Sequence, residues 1–155
     1  MSDAELAIEQ STTWIKNADV KAGLCATAVA GVATAVASQR PLLSTVARST
    51  GVVSSLALTA LGLSALTLVA SAFFLVKVLL PRVVPGTHSR YSWPSLAQLP
   101  LDDLMTTTPS GEEAGWAYAQ VLARIARAKY RSLRWALMLW FTSASLLLTW
   151  FVIAS

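Results

Sequence analysis

VVSSLALTALGLSALTLVASAFFLV, from Val52 to Val76, holds no charged residue from end to end. A bilayer core about 30 Å thick needs about 20 helical residues. At about 1.5 Å per residue this run is long enough to cross with some tilt. Working outward, the C-terminal stretch WALMLWFTSASLLLTWFVIAS from Trp135 is also uncharged. Its Trp135 and Trp150 lie near the two ends, at the depths expected of an aromatic belt. A third apolar run, Ala22 to Ala37, is built mostly of Ala, Val, Gly and Thr.

That third run has a rival reading. Ala35-Val36-Ala37 has the small-x-small form of a signal-peptide cleavage site, but the segment before it carries Asp3, Glu5, Glu9 and Asp19 against Lys16 and Lys21. A signal n-region is short and positive, and this one is long and net acidic. A packed helix fits better. Gly23, Thr27, Gly31 and Ala35 recur every four residues, as do Ala22, Ala26 and Ala30; small residues at that spacing let helix backbones approach closely in lipid. An Ala-rich span with no special interface is the plainer alternative.

Composition agrees with three spans. The chain has 155 residues, 55% of them hydrophobic and 13% charged, against about 25% charged in an ordinary soluble domain. Cys25 is the single cysteine, which excludes a disulfide framework within one chain.

Basic residues fix the expected orientation. Two of the 12 Lys and Arg residues, Arg40 and Arg48, fall between the first and second apolar runs. The other ten flank the spans on the opposite side: Lys16, Lys21, Lys77, Arg82, Arg90, Arg124, Arg127, Lys129, Arg131 and Arg134. The positive-inside rule then places the N-terminus in the cytosol and the C-terminus outside. The expected fold is an all-α membrane protein of three transmembrane helices, the first and third extended into the cytosol. A small cytosolic domain joins the second span to the third. The expected boundaries are a cytosolic helix at 1–21, spans at 22–38, 52–77 and 135–154, a periplasmic loop at 39–51 and a cytosolic sensing segment at 78–134.

Local signals support the cytosolic helices. Ser2-Asp3-Ala4-Glu5 has the form of a capping box, so a helix begins at once. After Pro109-Ser110-Gly111, a helix-compatible stretch opens with Glu112 and Glu113, which suit the positive end of a helix dipole. On this last helix Gln120, Arg124, Arg127, Arg131 and Arg134 are spaced 4, 3, 4 and 3, which puts them on one face. Arg offers a fork of donors matched to phosphate oxygens. For Arg131 and Arg134, beside the bilayer, contact with lipid headgroups is the stronger reading. Gln120, Arg124 and Arg127, two or more turns away, are open to either. Tyr91, Trp93 and Trp116 are aromatic planes on which a base could stack, or interfacial anchors.

Asp19 is the acid nearest the first span, and an unpaired carboxylate there is costly. A pair with Lys129 or Arg131 of the last helix is expected, or a local pair with Lys16; a solvated, snorkelling carboxylate is the plainer alternative. His88 is the only histidine and has no ligand at metal-binding spacing. The sequence has no phosphate-binding Gly-rich loop, nucleophile elbow or H-E-x-x-H helix. Asp102-Asp103 is an adjacent pair that projects to different sides of a helix or strand. No enzyme is expected, and no cofactor.

Three blocks carry a family resemblance. Trp14-Ile15-Lys16-Asn17-Ala18-Asp19-Val20-Lys21-Ala22 leads into the first span, and Leu79-Leu80-Pro81-Arg82 leaves the second. Gln120-Val121-Leu122-Ala123-Arg124-Ile125-Ala126-Arg127-Ala128-Lys129-Tyr130, then Leu133-Arg134-Trp135-Ala136, enters the third. In this order and topology the chain resembles the transmembrane Pycsar effectors, bacterial antiphage proteins of the inner membrane. The resemblance implies that a partner cyclase makes cyclic UMP or cyclic CMP on infection. The effector would bind it in the cytosol and disrupt the membrane, so that the cell dies before phage are released. Gln120, Arg124, Arg127, Arg82 and Trp93 are then the candidate ligand contacts. Membrane lipid and further copies of the chain are the expected partners, and nucleic acid is not. The alternative, from another class, is a non-gated structural or accessory inner-membrane subunit that assembles through its small-residue face.

Overall fold

The computed structural model describes residues 2–39, 44, 46, 48, 51–80 and 111–154. Three long helices, α1 (Asp3–Ser38), α2 (Val52–Leu79) and α3 (Glu112–Ala154), are each long and apolar enough to cross a membrane. Among the described residues there is no strand. The N-terminal helix runs into the first apolar segment without a break, as one helix, α1. The expected cytosolic domain falls mainly on residues 81–110, outside the described residues, while 112–134 belong to α3.

Both ends that face the expected cytosol start for visible reasons. The Ser2 amide donates to Glu5 Oε2 at 2.8 Å and the Glu5 amide donates to Ser2 Oγ at 3.3 Å. This is a complete capping box, which satisfies two amides that a helix start leaves without partners. At α3, Gly111 has φ +100° and its carbonyl accepts from the Gly115 amide at 3.2 Å. A side chain at 111 would be strained in that conformation, so the break before α3 is written into the glycine.

The chain divides into two units. The first comprises Met1–Asp19 and Leu80–Tyr130. In it α1 and α3 run side by side in the same direction, since Ala4 lies against Gly115 and Asp19 against Lys129. Burial follows a coiled-coil rhythm. On α1 Ala4 and Ala18 are buried and Ile8, Ser11 and Ile15 half-buried; on α3 Gly115, Ala119, Ala126 and Lys129 are buried and Leu122 half-buried. Where Ala4 meets Gly115 the residues are small, so the backbones come close. A Cβ built on Gly115 would sit 2.9 Å from Ala4 Cβ, so glycine is what admits the neighbouring methyl.

The second unit, Val20–Leu79 and Arg131–Ser155, holds the apolar spans. Here α2 runs antiparallel to α3, and four of its five buried residues, Ala57, Ser64, Ser71 and Val78, fall every seventh position, with Leu75 the fifth. Between hydrocarbon-soluble helices there is little hydrophobic drive, so packing and hydrogen bonds carry association. Ser64 Oγ donates to the Ser143 carbonyl at 2.9 Å, and Ser143 Oγ donates to the Ser64 carbonyl at 2.8 Å. Ser71 Oγ donates to the Ala136 carbonyl at 2.8 Å. Two apolar clusters flank these bonds. Ala22, Leu75, Val78, Leu133 and Ala136 form one, and Val46, Ala57 and Trp150 the other.

Two expectations for the spans are refined. Of the two small-residue rows on α1, Ala22 is buried and Ala26 half-buried. Gly23, Thr27, Gly31 and Ala35 are exposed, and a Cβ at either glycine would meet nothing within 4 Å. The Thr27 hydroxyl bonds back to the Gly23 carbonyl at 3.2 Å, which satisfies it without a neighbour. Trp150 departs from the aromatic-belt expectation. Trp135 is exposed, but Trp150 is 1% exposed and packs inside its cluster. The heptad spacing explains this: Trp150 is seven residues from the buried Ser143, on the same stripe of α3, where Ala57 leaves room for a large ring.

Candidate functional site

The residues that the sequence marks at the membrane entrance meet on two neighbouring helices. Lys129 occupies a seam position of α3, between Ala126 and Leu133, where the period dictates burial. Its Nζ donates to Asp19 Oδ1 at 2.5 Å, with the lysine side chain 7% exposed and the aspartate 40%. A buried ammonium without an anion is costly, and Asp19 is placed by the α1 seam, one residue beyond buried Ala18. Beside the pair the rings of Trp14 and Tyr130 meet edge to face, their centroids 5.8 Å apart and their planes at 70°. Trp14 and Tyr130 both belong to the blocks singled out in the sequence, but their contact was not anticipated. The signal was present: Trp14 precedes Asp19 by just over a turn, and Tyr130 is next to Lys129. Arg131 and Lys16 are exposed, and it is Lys129 that reaches Asp19.

The basic stripe lies on another face. Gln120, Arg124, Arg127, Arg131 and Arg134 are all exposed, while the seam of the same helix is buried. At about 100° per residue the stripe points to the side of α3 far from its seam. Trp116 is 43% exposed and shares that face, one turn before Gln120. At about 1.5 Å per residue, Trp116 and Arg124 are about 12 Å apart along the axis, with Gln120 between them. An aromatic plane, an amide and two guanidinium forks therefore stand in line on one open surface. Arg82 and Trp93, and with them Tyr91 and His88, lie outside the described residues.

Tyr118 lies half-buried on the flank of α3, and burial pushes its phenol above the ordinary value of 10.0. It is a neutral hydrogen-bonding group at physiological pH. Among the described residues no group of three or more His, Cys, Asp or Glu is placed to hold a metal ion.

A family model described as "Pycsar effector protein domain" matches residues 3–155. No curated protein and no solved structure matches the chain.

Proposed function

Because the chain belongs to the Pycsar effector family, a family of antiphage defence effectors, we propose that it is a membrane effector switched on by a cyclic pyrimidine mononucleotide, cyclic UMP or cyclic CMP. The match across residues 3–155 is the observation that carries this reading. A partner cyclase supplies the nucleotide during infection. The activated effector breaches the bacterial inner membrane, and the infected cell dies before phage are released. It acts by binding and rearrangement rather than by catalysis, and needs no cofactor.

A cyclic mononucleotide carries one phosphate charge and one flat base. Arg124 and Arg127 supply forked donors for the phosphate, Gln120 hydrogen-bonds the base edge, and Trp116 gives the base a plane to stack on. One helix grips such a ligand from one side only. Arg82 and Trp93 are assigned to the same ligand, and further copies of the chain in a homo-oligomer close the site. Arg131 and Arg134 contact lipid headgroups. The ligand moves the protein only to the extent that it binds the open state better than the closed one.

Two measurements test this. Purified full-length protein should bind radiolabelled cyclic UMP or cyclic CMP, and the same nucleotide should trigger dye release from vesicles containing the protein. Binding without release would leave a sensor that is not the effector; neither binding nor release would return the chain to a non-gated inner-membrane subunit.

The N-terminus is assigned to the cytoplasm and the C-terminus to the periplasm, which puts Gln120, Arg124 and Arg127 where a cytosolic nucleotide can reach them. A reporter active only in the periplasm should work when fused after Ser155 and fail when fused after Gly111. The reverse pattern would remove the cytosolic site altogether.

A further inference from the structure

Lys129 does not belong at its position by the logic of packing alone. Its companions on the same stripe of α3 are Leu122, Ala126, Leu133 and Ala136, none of them charged. An ion pair with one partner buried often holds two helices together no better than a hydrophobic pair of similar volume, because the lysine gives up most of its hydration and the aspartate part of its own. What the pair adds is sensitivity. If α1 and α3 separate, water reaches both ions and returns the lost hydration, so the energy gap between joined and parted helices is narrow. The asymmetry sharpens the point, since Asp19 is 40% exposed and Lys129 only 7%. The anion already touches water; the cation depends on the anion. Trp14 and Tyr130 pack edge to face beside the pair, and no intervening break separates either ion from an apolar span, because α1 and α3 are each continuous helices.

We propose that the Asp19–Lys129 pair is a conformational latch that keeps α1 and α3 joined at the membrane entrance in the resting effector, and that activation breaks it. The proposal rests on the membrane-breaching reading above and names the contact by which that activity is restrained.

The latch makes opposite predictions for two ways of removing it. In Asp19→Asn the ammonium stays buried with no counter-charge, so the joined state is penalised and the parted state is not. In the double variant Asp19→Leu with Lys129→Met no charge remains to be hydrated, so the joined state is locked. Each full-length protein is reconstituted into dye-loaded vesicles of phosphatidylethanolamine and phosphatidylglycerol. Release is followed first without nucleotide and then with cyclic UMP or cyclic CMP.

Asp19→Asn should leak about tenfold or more faster than the unaltered protein with no nucleotide present. The double variant should stay tight with and without nucleotide while binding the radiolabelled nucleotide normally. A purely structural pair predicts something else: the double variant would be released by nucleotide like the unaltered protein, and that result overturns the latch. So does an Asp19→Asn protein that is folded and tight without nucleotide. If Asp19→Asn fails to fold, the double variant decides alone. Should the unaltered protein ignore both nucleotides, the functional reading fails, but basal release by Asp19→Asn still reports on the latch.

Discussion

Replacing Arg124 by Ala is expected to lower affinity for the cyclic pyrimidine nucleotide by about tenfold to a hundredfold. A charge-assisted hydrogen bond to phosphate contributes about 1.5–3 kcal/mol, and each 1.4 kcal/mol is a factor of ten. Little of the loss should come from misfolding, because Arg124 is exposed on the face of α3 away from its seam, and exposed substitutions usually shift stability by under about 0.5 kcal/mol. The competing role is attachment to anionic lipid, which would weaken insertion and leave nucleotide affinity alone. Radioligand binding and membrane extraction on the same variant separate the two. Arg124→Lys refines the answer, since it keeps the charge but not the planar fork. If the fork is what matters, lysine restores only part of the binding; if lipid charge is what matters, it restores attachment in full. Normal insertion with unchanged binding in Arg124→Ala would take this residue out of the ligand site.

The largest expected effect on stability is at Trp150. It is the largest fully buried side chain among the described residues, packed with Val46 and Ala57 and bordered by Ala60, Leu61 and Leu147. Trp150→Ala should destabilise the spans by about 3 kcal/mol, the lower end of the range for a buried aromatic truncated to alanine. The lower end applies because lipid tails are as apolar as the protein interior, so the transfer contribution fades and lost contacts dominate. Trp150→Phe keeps a ring in the pocket and should recover most of that loss. An interfacial anchor would behave otherwise, because its value lies in the polar edge of the indole, which phenylalanine lacks. Unfolding by titration with a denaturing detergent, read by far-ultraviolet circular dichroism, distinguishes these outcomes. Equal losses for Ala and Phe would return Trp150 to the aromatic belt.

The uncharged run from Val52 to Val76 needs no tertiary context to be read as a span. Twenty-odd residues without a charge in a bilayer-length helix have few other places to be. The capping box at Ser2 and the glycine break at Gly111 are equally local, since each depends on groups within one turn. The blocks around Trp14–Ala22 and Gln120–Ala136 were legible as related to a known family, and the family match spans nearly the whole chain. The exposed arginine face was legible too, because spacing along one helix fixes which side chains share a side.

Which face meets which neighbour could not be read from one helix at a time. Lys129, Arg131 and Lys16 were all near enough in sequence to serve Asp19. The choice fell to Lys129 because the seam of α3 turns position 129, and not 131, toward α1. Two rows of small residues on α1 were equivalent by spacing, and the packing takes up Ala22 and Ala26 while leaving Gly23 and Gly31 open. Trp150 sits at a helix end in the sequence, as an interfacial anchor would, and only Ala57 and Val46 on other segments make it a core residue. In a chain this apolar, hydrophobicity marks every face of a span alike. The sequence by itself determined which stretches are long and apolar enough to cross a membrane; the fit of small residues, serine hydroxyls and one ion pair between helices decided which faces join among the described residues.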